Sequence, residues 1–322
     1  MPLIASSYRK PAFLLNAHFE TIIPAIFRKV RGIQYQRERL ELSDGDFLDL
    51  DWLKNPHNAN LVILSHGLEG DTQRGYMRGM AKFFHQKGWN VLAWNERGCS
   101  GEVNRLLRFY HSGVSEDLKA VVDYANTQQN FEQIALIGFS LGGNVTLKYL
   151  GEQAENTPDN VKKAVVFSVP LHLSACSENL RKAKNWLYAD KFKKELFEKV
   201  RRKARLMPDK LSAANLKKIK TLKDFDEYYT APLHGFTDAE DYYEKSSSLY
   251  FLPNIHAPTL IVNAQNDPFL SAPCFPYSLL EKSKNVWLET PRTGGHCGFM
   301  PAEKKNVYWS ERRAWEFVAE EK

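Results

Sequence analysis

No run in the chain is long and apolar enough to cross a bilayer. The best, residues 164–171, already contains a serine and a proline, whereas a spanning helix needs about twenty apolar residues. Cysteine is sparse as well. Cys99, Cys176, Cys274 and Cys297 are scattered without metal-ligand spacing, which argues for a reducing compartment over a disulfide framework. The opening residues, MPLIASSYRK, lack the continuous apolar core and cleavage site of a secretory leader. Pro2 stands where N-myristoylation would need glycine. There is no P-loop, no dinucleotide fingerprint and no HExxH, so neither a cofactor nor a metal is expected. No basic motif interleaved with aromatics is present either, which argues against a nucleic-acid partner. These absences lead to the expectation of a soluble, cytoplasmic protein acting on a small molecule.

What is present suits a large globular fold. Of 322 residues, 43% are hydrophobic and 25% charged, enough to bury a core as one α/β domain or a domain with an insertion. The net charge of +6 is unevenly spread: residues 181–223 carry sixteen Lys or Arg against four Asp or Glu. A segment this basic reads first as the solvated face of helices. It can also make peripheral contact with an anionic membrane.

Short apolar runs alternate with helical spacing along most of the chain. Residues 1–33 read as an irregular arm ending in one amphipathic turn. Residues 33–42 and 47–52 alternate as half-buried strands around the turn Ser43-Asp44-Gly45-Asp46, a turn and not a calcium loop, since further ligands are missing. Strands follow at 61–64, 90–94, 134–137, 163–168, 259–263 and 286–289. Helices are expected near 76–87, 115–125, 145–150, 275–282 and 307–319. From Pro170 to about Leu252 this rhythm stops, and the stretch is helical, basic and tyrosine-rich. The arrangement predicts a mostly parallel sheet flanked by helices. Its core would be 1–169 and 253–322, with 1–33 as the arm and 170–252 as a helical cap.

The most informative residues are Gly138-Phe139-Ser140-Leu141-Gly142-Gly143-Asn144. Gly-x-Ser-x-Gly alone is a weak signal. Placed between a buried strand and a helix it reads as a nucleophile elbow, a sharp turn that lifts the serine hydroxyl clear of the sheet. The same turn aims the N–H of Leu141 at a developing oxyanion. A serine nucleophile needs a base, and the base needs an orienting carboxylate. In chain order these are Asp267, the carboxylate in the loop after strand 259–263, and His296, in Thr293-Gly294-Gly295-His296-Cys297-Gly298. The backbone N–H of Leu68, after the strand at 61–64, is expected to complete the oxyanion hole. His66 reads as a loop-bracing hydrogen bonder, His111 as structural, and Cys297 as an inert thiol. Trp186, Tyr188, Phe192, Phe197 and Tyr250 are candidates for an apolar acyl pocket in the cap.

With these residues assembled, the chain resembles the YheT-like branch of the α/β-hydrolase superfamily, which is related to eukaryotic lipase-like abhydrolases. The resemblance rests on HGLEG (66–70), RGCSGEVNR (97–105), YHSGVSEDL (110–118), GFSLGGNVTLKYLGE (138–152), FDEYYTAPLHGF (225–236), NDPF (266–269) and GGHCGF (294–299). The opening LLNAHFETI (14–22) is similar too. Asn266 stands where the branch usually has a second aspartate. The resemblance implies an α/β-hydrolase fold with a helical lid and a serine hydrolase triad at Ser140, Asp267 and His296. The expected activity is cleavage of short- or medium-chain carboxylic esters through an acyl-enzyme. A thioesterase or acyl transferase using the same triad is the alternative, and a non-catalytic ligand binder the reading from a different class. Oligomeric state is left open.

Overall fold

Five runs of the chain are apolar on both faces, and all five sit in the middle of one sheet. In the computed structural model, which describes residues 2–303 and 306–320, these are β4 (Asn60–Ser65), β5 (Asn90–Trp94), β6 (Gln133–Phe139), β7 (Val161–Phe167) and β8 (Thr259–Val262). They are joined by β1 (Leu3–Ile4), β2 (Gln36–Glu41), β3 (Phe47–Leu53) and β9 (Val286–Glu289) in the order β1-β9-β8-β7-β6-β4-β5-β3-β2. β2 and β3 form the expected hairpin, and β3 also runs antiparallel to β5. The remaining pairs are parallel.

The period-two alternation of strands sends successive side chains to opposite faces. Leu61 and Ile63 pack beneath α3 (Ser115–Gln128) and α4 (Leu141–Gln153). Val62 and Leu64 pack beneath α2 (Gly75–Gln86) and α11 (Trp309–Ala319). The sheet is therefore covered on both sides, as a parallel sheet requires. Between β7 and β8 lie the helices α5 (Leu173–Arg181), α6 (Trp186–Leu206), α7 (Leu222–Phe225), α8 (Ala231–His234) and α9 (Ala239–Ser246).

Three expectations need correction. The N-terminal arm does not end in a single turn: it adds strand β1 to the edge of the sheet and then forms α1 (Ala17–Phe27), capped by the Asn16 side chain accepting from His18 and Phe19. β3 is buried along its whole length, not half-buried. Its outward Asp49 and Asp51 are covered because Arg39 and Arg37 on β2 each clamp one carboxylate through two N–H groups. The helix expected near 275–282 shrinks to the single turn α10 (Tyr277–Leu280), since Pro276 cannot donate to a preceding carbonyl and restricts the residue before it.

The basic segment is a solvated face with two exceptions on α6. Lys199 pairs with Glu69 at 2.8 Å. Lys203 is wholly buried and donates to Asn104 Oδ1 at 2.5 Å and to the carbonyl oxygen of Leu106. Burial pulls the Lys203 ammonium down to about 8. Asn104 in turn donates to Asp46, which shares Arg97 with Asp44 and Asp117. The Asp44–Asp46 turn is thus the floor of an ion-pair network that ties α6 to the core. A second tie comes from Asn179 and Asn185, whose amides donate to the carbonyl oxygens of Pro268 and Leu270. A third is Asn144 on α4, which donates to Ser112 and Ser246 and accepts from Ser248 N–H.

Candidate active site

Because β4, β6, β7, β8 and β9 are parallel, the loops leaving their C-terminal ends gather at one rim of the sheet. Ser65 at the end of β4 lies opposite Gly138 at the end of β6, which sets the 66–70 loop beside the elbow. Ser140 is the turn between β6 and α4, and its backbone is in the left-handed region at φ 52°, ψ −119°. A side chain there is strained, by about 1–3 kcal/mol. Gly142 is required by the closeness of β4, since a Cβ on it would come within 2.4 Å of the His66 carbonyl oxygen.

The three side chains singled out for catalysis meet. His296 Nε2 lies 2.9 Å from Ser140 Oγ, and His296 Nδ1 lies 2.9 and 3.1 Å from the two oxygens of Asp267. With the carboxylate accepting from Nδ1–H, the free lone pair on Nε2 faces the serine hydroxyl. Asp267 is itself aimed by accepting from Phe269 N–H at 2.9 Å. The Phe269 ring stacks on the imidazole with centroids 3.9 Å apart, which shields the base from water. Burial alone would depress the imidazole, but the Asp267 carboxylate and then Cys297 more than reverse that, and its pKa is held up at about 10.

The loop that carries His296 has no regular structure, yet four successive N–H groups along it each find a side-chain oxygen. Gly294 donates to Glu20 Oε2, Gly295 to Asn266 Oδ1, His296 to Thr21 Oγ1 and Cys297 to Ser168 Oγ. Asn266 closes the set by donating to Glu20 Oε2 at 3.1 Å. Glu20 and Thr21 come from α1, so the N-terminal helix joins the acid loop to the base loop. Gly298 answers to the same contact: a Cβ on it would fall 2.1 Å from the Glu20 carbonyl oxygen. Gly295 meets α1 closely too and also sits at φ 59°, so packing and backbone conformation both call for glycine there. Asn266, which departs from the usual aspartate of the resembling branch, serves here as acceptor and donor at once.

Leu68 and Leu141 both line a cavity of about 140 Å³ that also exposes Ser140 and His296. Neither backbone N–H has a hydrogen-bond partner among the described residues, and the Leu141 N–H belongs to the first turn of α4, where the helix dipole favours negative charge. His66 braces this loop as expected. Its Nδ1 donates to the Gly67 carbonyl oxygen at 2.8 Å and its Nε2 accepts from Glu96 N–H at 3.1 Å, while burial pushes it down to about 4. The imidazole of His66 is therefore a neutral strut.

The acyl-pocket candidates fare unevenly. Phe192 lines the cavity. Trp186 and Tyr250 point to solvent, Tyr188 packs on Phe269, and Phe197 stacks on Phe225 within the helices between β7 and β8. The apolar wall is instead made by Leu173, Leu180, Phe192, Leu196, Phe225 and Phe269, residues whose spacing alone looks like ordinary helix core. His111 also reaches the cavity, packed against His234 with ring centroids 4.5 Å apart. Cys176 and Cys274, distant in sequence, bring their sulfurs to 3.2 Å.

Comparisons with known proteins place the chain by family and fold. A family model described as serine aminopeptidase, S33, matches residues 56–273. YheT of Escherichia coli, an esterase by name, is 35% identical over 88% of this chain and 84% of its own. Phospholipase ABHD3 of Mus musculus is 27% identical over 93% of this chain and 74% of its own. Among solved structures, the esterase Pf2001 of Pyrococcus furiosus superposes with a TM-score of 0.60, covering 91% of this chain and 95% of that one at 19% identity. That last likeness speaks for the fold.

Proposed function

The chain belongs to the YheT-like branch of the α/β-hydrolase superfamily and is a carboxylic ester hydrolase, and from that premise we propose that it works through an acyl-enzyme on Ser140. The reading is carried by one observation, the unbroken line of hydrogen bonds from Ser140 Oγ through His296 to Asp267. Ser140 Oγ attacks the ester carbonyl while His296 Nε2 takes its proton. The carbonyl oxygen becomes an oxyanion held by the N–H groups of Leu68 and Leu141. The tetrahedral centre then collapses, the C–O bond to the alcohol breaks, and the imidazolium returns its proton to the departing oxygen. Water, deprotonated by the same Nε2, attacks the acyl-serine and frees the acid. Asp267 keeps its proton count throughout and holds the ring.

In this reading residues 170–252 act as a lid over a core of 1–169 and 253–322, and their apolar wall receives a short or medium acyl chain. The modest size of the cavity supports that length. The scattering of the four cysteines without a disulfide or metal framework in the sequence supports a reducing, cytoplasmic setting. The test is labelling by a fluorophosphonate together with turnover of p-nitrophenyl esters from acetate to palmitate. Phosphonylation of the peptide bearing Ser140 and a rate maximum at butyrate to octanoate are expected. An unlabelled protein that releases no p-nitrophenol would end the proposal. Ester product on adding ethanol would move it to acyl transfer from the same intermediate.

The clamp from α1 supplies a further prediction. Thr21→Val removes the acceptor for His296 N–H at almost constant shape. It is expected to lower kcat about tenfold with KM little changed, and Thr21→Ser to restore it. Steady-state kinetics on p-nitrophenyl butyrate reads both, and equal kcat in all three proteins would remove the positioning role.

A further inference from the structure

We infer that the outward face of α1, together with the first turn of α6, is a docking surface for an anionic lipid bilayer. α1 is inside-out. It buries Glu20, Thr21 and Pro24 against the loops of the active site, while Phe19, Ile26 and Phe27 are 43%, 63% and 71% exposed. Ile22 and Ile23 are half-buried beside them. Positions 19, 22, 23, 26 and 27 fall on one helical stripe, and Phe13 and Leu15, just ahead of the helix, are exposed too. His18 hydrogen-bonds Tyr188 of α6 at 3.0 Å and stacks on its ring. That contact ties α1 to the first turn of α6, where Trp186 and Leu187 are 61% and 53% exposed. Single exposed apolar residues are ordinary on a protein surface; a joined stripe with aromatics at both ends is not.

The charge around the stripe selects the occupant. Arg181, Lys182 and Lys184 stand exposed just before Trp186, and Arg9, Lys29 and Arg31 flank α1. Arg181 is held by Glu178, but the other five have no ion-pair partner among the described residues. The one acid on α1, Glu20, is turned inward. A second copy of the chain would have to press two cationic rims together. Anionic headgroups would instead neutralise the rim while the apolar side chains enter the interface below them, the usual arrangement of an interfacial helix. The surface also adjoins the catalytic side chains. Tyr188 packs on Phe269, with ring centroids 4.7 Å apart, and Phe269 on His296, so a bilayer seated here lies beside the base. The basic character of α6 as a whole matters less than this one corner.

Co-sedimentation of the full chain with vesicles of phosphatidylcholine, with and without phosphatidylserine, at low and high salt tests the assignment. The native protein is expected to sediment with the phosphatidylserine vesicles and to be released by salt. The pairs Ile26→Ser with Phe27→Ser, and Trp186→Ser with Leu187→Ser, should each cut the partition about tenfold. Turnover of p-nitrophenyl butyrate in solution should stay at the native rate, which certifies that the variants fold. Failure to sediment with anionic vesicles, or equal sedimentation of native and variant proteins, overturns the inference. So does a native dimer, seen by light scattering, that the same substitutions dissociate, since the surface would then belong to a second copy.

Discussion

Ser140→Ala should reduce kcat on p-nitrophenyl butyrate by about a millionfold, the loss seen when a triad nucleophile is removed, with little change in stability. His296 Nε2 has Ser140 Oγ at 2.9 Å, and no other hydroxyl among the described residues is bonded to that nitrogen. What survives would come from the N–H groups of Leu68 and Leu141 and from binding alone. Ser140→Gly separates chemistry from strain. The residue sits at φ 52°, where glycine carries no Cβ penalty, so this variant should be as inactive as the alanine one and melt at a higher temperature, by about 1 kcal/mol of stability. A native-like rate in either variant would leave the triad without its nucleophile. A glycine variant less stable than the alanine one would contradict the strain.

The central sheet and the elbow were legible in the sequence because the physics that makes them is local. Val91-Leu92-Ala93-Trp94 and Ala164-Val165-Val166-Phe167 can only be buried on both faces, and Gly-Phe-Ser-Leu-Gly between such a strand and a helix leaves one sharp turn open to the chain. The acid and the base followed from order: each had to leave a later strand, and Asp267 and His296 lie in the loops after β8 and β9. Parallel pairing then carried both to the same rim.

Other parts are set by contacts between distant segments, and those leave no periodicity. α1 hides from a hydrophobic reading because it is reversed, burying Glu20 and Thr21 and exposing Phe19, Ile26 and Phe27. Its purpose shows only where the 294–297 loop runs beside it and the N–H groups of Gly294 and His296 find their acceptors on Glu20 and Thr21. β3 misleads for a related reason: Asp49 and Asp51 alternate as solvent-facing residues would, until Arg39 and Arg37 cover them. Lys203 belongs to a run of cations that reads as a wetted face, and one residue of it is wholly buried. The acyl wall is only partly legible: among the aromatics expected there Phe192 faces the cavity, whereas Trp186 faces out and Leu173, Leu180 and Leu196 make much of the wall. Size said nothing about direction.

Asp267→Asn carries the second large effect, and its sign can be worked out. In the native protein the carboxylate accepts from Nδ1–H and leaves Nε2 free to take the serine proton. An amide in its place can donate to Nδ1, which turns the tautomer so that Nε2–H faces Ser140. The expected loss is about ten-thousandfold in kcat near neutrality. The pH dependence moves as well. Burial favours the neutral ring, and the carboxylate overrides it to hold the imidazole at about 10. The base form therefore grows with pH, and native kcat/KM should climb through the neutral range. With the carboxylate gone burial still lowers the ring, and only the smaller effect of Cys297 is left to raise it, so the ascending limb of Asp267→Asn should lie to the acid side of the native one. Stability follows the same linkage. A histidine whose folded pKa is raised lends stability that is complete below its unfolded value of 6.5 and fades as pH rises through about 10. The stability gap between native and Asp267→Asn, read by urea unfolding, should narrow over that interval. A gap that stays level, or a variant whose limb does not move to acid, would mean that Asp267 is not the group that charges the imidazole.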